Sequence, residues 1–290
     1  MKRIHVFNPA AGVKHSPTLL EKGAAAEEER YVTTGIGDCE RFVYETCLER
    51  PDTHFIVYGG DGTIAEAVSG IVRAGVGDRA LLSVIPAGTG NDFVRSFPEK
   101  NKIYTVDAIS IGNDHYAANI VNFGFDSVVV TKTQTYKKIF PGSAAYLAGV
   151  VDAFFHKIGE KWRIELENED GTTEVFEEIF SLGLVANCQY YGGGFHSAPL
   201  ADSTDGLLDF VAIRRVTRSE LVTLIGDYKK GTHFDLAAGQ PRLKFKNYML
   251  YRRCRSVRIQ GIQNMCADGE ITPTTDVTVR IVPKAFRYAT

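Results

Sequence analysis

Nowhere in these 290 residues is there an apolar run approaching the roughly 18 that a membrane-spanning helix needs. The opening segment, residues 1–7, is too short in apolar length for a signal peptide, so a cytoplasmic location is expected. The five cysteines, at 39, 47, 188, 254 and 266, show neither CxxC nor CxxH spacing. That leaves a zinc site and a disulfide framework without support, and inert buried thiols are expected instead. None of the seven histidines falls in an HExxH pairing, and no GxxxxGK[ST] run marks a P-loop NTPase. Internal repeats and low-complexity segments are also missing. With 44% hydrophobic and 23% charged residues, the composition is that of a globular protein able to bury real cores, at a length comfortable for two domains.

Net charge is small, −2, but unevenly spread. Between Ile213 and Arg258 twelve Lys/Arg face three acids, a segment of +9 that leaves −11 for the rest. Tyr228, Phe234, Phe245, Tyr248 and Tyr251 are interleaved with those cations. Such a stretch can meet an anionic surface. No nucleic-acid recognition motif accompanies it, so no nucleic-acid partner is expected.

The most informative residues are Gly59-Gly60-Asp61-Gly62-Thr63. They follow the strand-forming run Phe55-Ile56-Val57-Tyr58 and precede a segment, 63–72, with apolar residues at helical spacing. A strand feeding a glycine turn that opens a helix points backbone N–H groups at a phosphate. Asp61 inside that turn would be repelled by polyphosphate unless a cation lies between, which suggests nucleotide plus Mg2+. A second strand, Leu81–Ile85, leads into Pro86-Ala87-Gly88-Thr89-Gly90-Asn91-Asp92-Phe93. Two such loops after parallel strands would lie side by side at the carboxyl edge of a sheet, where open α/β folds bind ligands.

Strand and helix signals alternate over the first hundred residues. Strands are expected at Ile4–Phe7, Tyr31–Thr34 and 55–58, with helices over Pro17–Glu29, Asp38–Glu49 and Thr63–Ala74. This rhythm predicts a doubly wound parallel sheet, a nucleotide-binding α/β domain over residues 1–112. Beyond about residue 105 strands dominate: Ala117–Phe123, Trp162–Glu167, Glu178–Asn187, Leu207–Ile213, Val257–Gln260, Ile262–Cys266 and Val277–Val282. Helical stretches are expected at Ser127–Lys138, Ser143–His156 and Arg218–Lys230. The second domain, 113–290, is expected to be a β-sandwich.

Gly59–Thr63 with Glu66 resembles the GGDGT motif of the diacylglycerol kinase catalytic-domain superfamily, which includes soluble bacterial lipid kinases and the sphingosine and ceramide kinases. Phe7-Asn8-Pro9-Ala10-Ala11-Gly12 resembles that family's NPxxG loop, and Pro86–Phe93 its PxGTxNDF loop. Asn187–Phe195, Pro199–Asp209 and Asp268-Gly269-Glu270 resemble its later motifs in the same order. The resemblance implies an NAD kinase/phosphofructokinase-like first domain and a β-sandwich lipid domain. It also implies ATP with Mg2+ as donor and a lipid with a free hydroxyl, diacylglycerol or a relative, as acceptor. Carried over, ATP would meet Asn8, Pro9, Ala10, Ala11, Gly12, Thr34, Gly59, Gly60, Asp61, Gly62, Thr63, Ile64, Ala65, Glu66, Gly88, Thr89, Asn91 and Asp92. Asp268 would be the general base, with Glu270 beside it and Asp61 serving the catalytic metal. Asp202, Asp205 and Leu207 would hold a structural metal, the first and last through carbonyl oxygens.

Two positions depart from the family pattern. Ala65 stands where Asn is common, and Ser110 where an aspartate is common, with Asp107 three residues earlier and Asp126 further on. GGDGT is shared with NAD kinases, which leaves an NAD-kinase-like enzyme or a non-catalytic nucleotide or lipid sensor as alternatives. The loops at 86–93 and 199–209 favour the lipid-kinase branch. A lipid acceptor implies peripheral, transient contact with an anionic membrane surface through Lys14, Lys132, Lys137, Lys138 and the +9 segment. A role in phospholipid synthesis and a homodimer are compatible with the family.

Overall fold

The computed structural model describes residues 1–11, 28–88, 90–112, 114–136, 139–140, 148–149, 151–153, 155 and 158–290. The first region comprises β1 (Lys2–Phe7), β2 (Glu29–Val32), α1 (Asp38–Glu49), β3 (Thr53–Gly59), α2 (Asp61–Arg73), β4 (Leu81–Pro86) and the short α3 (Asp92–Arg95). Strands β2, β1, β3 and β4 pair in parallel in that spatial order. Helix α2 buries Ile64, Ala67, Val68 and Ile71, the three-and-four spacing of one helical face, and α1 buries Cys39, Val43 and Cys47. Both stripes join Ile4, Val6, Phe55, Val57 and Leu82 in one core.

Beyond residue 102 strands take over: β5 (Ile103–Ile111), β6 (His115–Ala117), β7 (Ile120–Gly124), β8 (Glu160–Asn168), β9 (Thr173–Ala186) and β10 (Leu208–Arg214). The hairpin strands β11 (Phe234–Asp235) and β12 (Gln240–Pro241) come next, then β13 (Met249–Gln260), β14 (Asn264–Ala267), β15 (Glu270–Pro273) and β16 (Asp276–Ala289). Helices α4 (Phe125–Tyr136) and α5 (Arg218–Lys230) interrupt them. Pairing among β7, β9, β10, β13 and β8 is antiparallel. Their core holds the only tryptophan, Trp162, stacked on Phe180 with ring centroids 5.6 Å apart. The fold is mixed α/β with strands in the majority.

Strand β16 stitches the two regions together. Its first half pairs antiparallel with β13 and β5. After an irregularity between Val282 and Phe286, where Lys284 takes a left-handed φ of 53°, Arg287–Ala289 pair in parallel with Leu81–Ser83 of β4. Phe286 and Tyr288 consequently lie in the core of the first region.

Departures from the sequence expectation have local causes. The strand expected at Tyr31–Thr34 is Glu29–Val32, because Asp38 draws the Thr34 N–H out of the ladder at 2.8 Å. The strand expected at Ala117–Phe123 is two strands, since the N–H groups of 118–120 turn to the Asp268 carboxylate. The last strand runs on from Val282 to Ala289. The helix expected at Pro17–Glu29 falls mostly outside the described residues, and Glu29 is already strand. The helix expected at Ser143–His156 is likewise largely outside them. All five cysteines are free and buried, and burial pushes the Cys47 and Cys266 thiols up to about 12. Among the described residues no helix is long and apolar enough to cross a membrane.

Candidate active site

Because β1 to β4 run parallel, their carboxyl ends share one edge. At that edge α2 opens with Gly60 in extended conformation and no side-chain cap, leaving first-turn N–H groups open. The neighbouring loop is tied on through the Ala87 N–H, which donates to the Gly59 carbonyl at 2.9 Å. A Cβ on Gly60 would stand 3.1 Å from the Gly88 Cα, and one on Gly88 only 2.7 Å from the Gly60 Cα. The two loops therefore touch backbone to backbone, which only glycine permits. The Asn8 amide donates to Thr63 Oγ1 at 2.8 Å while its oxygen accepts the Ala10 N–H at 2.9 Å, locking the 8–11 turn to the start of α2.

Asn8, Pro9, Ala10, Ala11, Thr34, Gly59, Gly60, Asp61, Gly62, Thr63, Gly88, Asn91 and Asp92 thus lie on loops and helix starts at this edge. Gly12 and Thr89 lie outside the described residues. Ile64 is core, its side chain fully buried and its N–H bonded to the Gly60 carbonyl at 3.1 Å. Ala65 is half-buried on the following turn of α2. The Glu66 carboxylate accepts the Gly37 and Cys39 N–H groups at 3.0 and 3.1 Å. It caps α1, whose own N-cap glycine has no side chain to offer, and so braces one helix against the other.

Three carboxylates meet across the edge. Asp61 Oδ1 accepts the Phe93 N–H at 3.2 Å. Asp92, only 4% exposed, accepts the Gly193 and Gly194 N–H groups, one on each oxygen, both at 2.7 Å. Burial pushes the Asp92 carboxyl up, the glycine N–H groups oppose it, and the charge of Asp61 adds to the rise. Asp268 arrives from the antiparallel region with a left-handed φ of 47°. Its Oδ2 accepts from Ala118 N at 2.7 Å, and its Oδ1 from Ile120 N at 2.9 Å and Asn119 N at 3.1 Å. Burial raises the Asp268 carboxyl to about 6 against the pull of those N–H groups, with Asp61 again contributing to the rise. Glu270 is exposed at the start of β15.

Both oxygens of Asp92 are engaged, which leaves Asp61 Oδ2, beside Gly90, as a carboxylate oxygen for a cation. That donor set fits Mg2+, which takes one or two carboxylates and fills its octahedron with water and phosphate oxygens. Among the described residues no group of three or more His, Cys, Asp or Glu side chains is arranged to hold a metal.

The set Asp202, Asp205 and Leu207 is placed together but is satisfied from within. Asp202 Oδ1 accepts the Thr204 N–H and hydroxyl at 3.0 and 2.7 Å. Asp205 accepts the Leu207 N–H at 3.0 Å and pairs with the Arg253 guanidinium. As arranged, the Arg253 guanidinium already matches the charge that a cation would answer at Asp205. Asp107, buried, closes the loop by accepting the Gly206 and Lys284 N–H groups at 2.7 and 2.6 Å. Asp126, pushed up to about 6 by burial, accepts the Tyr191 hydroxyl at 2.6 Å.

The stretch Asn187–Phe195 enters the sequence reading only as a resembling motif, with no role given to Gly193 and Gly194, which donate to Asp92, and none to Asn119. The Asn119 N–H holds Asp268, its side-chain amide donates to the Tyr190 carbonyl at 2.7 Å, and its buried side-chain oxygen has no partner among the described residues. The available signal was the glycine run 192–194, whose three residues all have positive φ.

Comparison with known proteins agrees along the whole chain. Residues 3–121 match the diacylglycerol kinase catalytic domain, and residues 119–290 match the YegS C-terminal NAD kinase beta sandwich-like domain. A protein named diacylglycerol kinase from Mycobacterium tuberculosis is 28% identical over 252 residues, covering 80% of this chain and 75% of that protein. One of the same name from Bacillus subtilis is 25% identical over 284 residues, covering 91% and 88%. A crystal structure of a diacylglycerol kinase from Bacillus anthracis superposes with a TM-score of 0.69 at 21% identity, over 99% of this chain and 96% of that one, and so shares the fold. The chain belongs to the diacylglycerol-kinase-like lipid kinases.

Proposed function

We propose that the protein transfers the γ-phosphate of ATP to a free hydroxyl of diacylglycerol or a related lipid at a membrane surface. The observation that carries this reading is Asp268, brought from the lipid-side region to within the field of Asp61 at the open start of α2. The Asn8–Ala11 turn and the N–H groups at 60–63 would cradle the phosphates, and Mg2+ at Asp61 would neutralise charge on the transferred group. The lipid oxygen forms its bond to phosphorus as the bond to the departing ADP breaks. The hydroxyl proton passes to the Asp268 carboxylate. Three backbone N–H groups fix that carboxylate in place, and its pKa near 6 leaves it unprotonated at neutral pH yet basic enough to accept.

We assign residues 1–112 to a doubly wound nucleotide-binding domain and 113–290 to the lipid domain, with 285–289 packed back into the first. Labelled Mg·ATP offered to a lipid panel in mixed micelles, with NAD and no acceptor alongside, tests the reading. Label on a lipid supports it. Label on NAD alone, or nucleotide binding without transfer to any acceptor, overturns it.

A further inference from the structure

One surface of the lipid-side region combines bare apolar side chains with unmatched positive charge. Strands β11 and β12 form a two-stranded sheet of their own, separate from the main sheet. Leu236 in the hairpin turn is 59% exposed and Leu243, just past β12, is 86% exposed. Single exposed leucines are ordinary; here the surroundings make them unusual. The hairpin stands on a rigid base, with Phe234 and Phe245 buried in the core beneath it. Beside it a groove of about 740 Å3 is lined by His196, Lys230, Leu236, Arg242, Leu243 and Lys244, among others.

The acids on this face are already occupied. Asp227 pairs with Lys244 at 2.7 Å and accepts the Thr232 hydroxyl, also at 2.7 Å. Asp235 caps its own turn, accepting the Ala237 and Ala238 N–H groups at 3.1 and 3.2 Å. Lys230, Arg242 and Lys246, all exposed, make no ion pair with any described residue. A net positive surface with leucines standing out of it is complementary to the phosphate layer and upper acyl region of an anionic bilayer.

A chain of contacts runs from the end of α5, three residues before the hairpin, towards the candidate active site. Gly231, at the end of α5, lies so close to the ring of His196 that a Cβ would stand 2.5 Å from its Nδ1. His196 stacks on Tyr190 with centroids 4.4 Å apart, the Tyr190 carbonyl accepts from Asn119, and Asn119 holds Asp268.

We infer that residues 234–246 form the surface by which the protein docks on an anionic lipid bilayer, Leu236 and Leu243 entering the interface and Lys230, Arg242 and Lys246 facing lipid phosphates. This deepens the lipid-kinase reading by naming the face that approaches the membrane. The test is sedimentation of the full chain with vesicles of phosphatidylcholine alone or mixed with phosphatidylglycerol. Wild type binds the mixed vesicles and releases them at high salt. Leu236→Ser/Leu243→Ser and Lys230→Glu/Lys246→Glu each lose at least about tenfold in partitioning. Their thermal midpoints and their transfer to a monomeric short-chain diacylglycerol stay at wild-type values. In a Leu243→Trp variant, emission shifts to the blue on mixed vesicles, since Trp162 is fully buried and contributes a constant background. Wild-type partitioning in both double variants, or no preference for the anionic vesicles, overturns the docking surface. Loss of vesicle binding in the variants, with no transfer by any form to the short-chain lipid, sustains the docking surface and overturns the kinase reading instead.

Discussion

The start of α2 at the parallel-strand edge and the antiparallel region handle negative charge in opposite ways. At the edge, the start of α2 has no side-chain cap, and two glycine loops press together so that backbone donors stay open to an arriving anion. In the antiparallel region, backbone donors are closed on the protein's own carboxylates. Residues 118–120 hold Asp268, Gly193 and Gly194 hold Asp92, and Gly206 and Lys284 hold Asp107. On the proposed function, the first arrangement would receive phosphate and the second would fix the groups that act beside it. The same element, an N–H cluster, is a binding device where it is empty and a positioning device where it is filled.

The sharpest way to separate the two roles is Asp268→Ala. Transfer should fall by about a thousandfold or more while nucleotide affinity is kept, since a general base contributes roughly 10²–10⁴. Equilibrium nucleotide binding beside a steady-state assay checks it. Gly60→Ala or Gly88→Ala should do the reverse, forcing the loops apart and weakening nucleotide binding by at least about tenfold, with about 1–3 kcal/mol lost from stability. Titration calorimetry and thermal melts report both. Asp92→Ala should strand the Gly193 and Gly194 donors. A loss of about 2 kcal/mol is expected, and if the 190–196 turn lies on the acceptor side, as proposed, KM for lipid rises more than KM for ATP.

A fourth prediction concerns pH. In the proposed reaction Asp268 has to be unprotonated to accept the hydroxyl proton, and burial has raised it to about 6. Lipid kcat/KM should therefore drop about tenfold per unit below pH 6 and level off above it, a limb that a pH profile of the wild-type enzyme would show. The smallest effect is expected from Glu66→Ala. If that side chain braces α1 as its two N–H bonds indicate, the variant loses about 1 kcal/mol in a denaturant melt. Its ATP affinity should stay nearly unchanged. A large loss of affinity instead would move Glu66 into the nucleotide contact.

The difference between the regions also explains what could be read in advance. The parallel-strand edge is written in contiguous residues, a strand followed by Gly59–Thr63 and another followed by Pro86–Phe93, so local pattern sufficed. The capture of Asp268 by residues 118–120 joins positions about 150 apart in sequence, and no local rule points to it. The return of β16 to pair with β4 is equally non-local, and Val277–Val282 looks complete as a strand without it. Glu66 was legible as part of a motif, but its partners Gly37 and Cys39 offer only backbone, which a sequence does not display. Asp205 illustrates the same limit, because the Arg253 that answers its charge lies on a strand 48 residues away.

The most direct test of the account measures ATP affinity and single-turnover transfer to diacylglycerol in parallel for wild type, Asp268→Ala and Gly60→Ala. A crossed result is expected: Asp268→Ala binds ATP like wild type and transfers about a thousandfold more slowly, while Gly60→Ala loses ATP affinity and recovers transfer as ATP is raised. Transfer near the wild-type rate in Asp268→Ala, or equal loss of affinity in both variants, would contradict this division of roles.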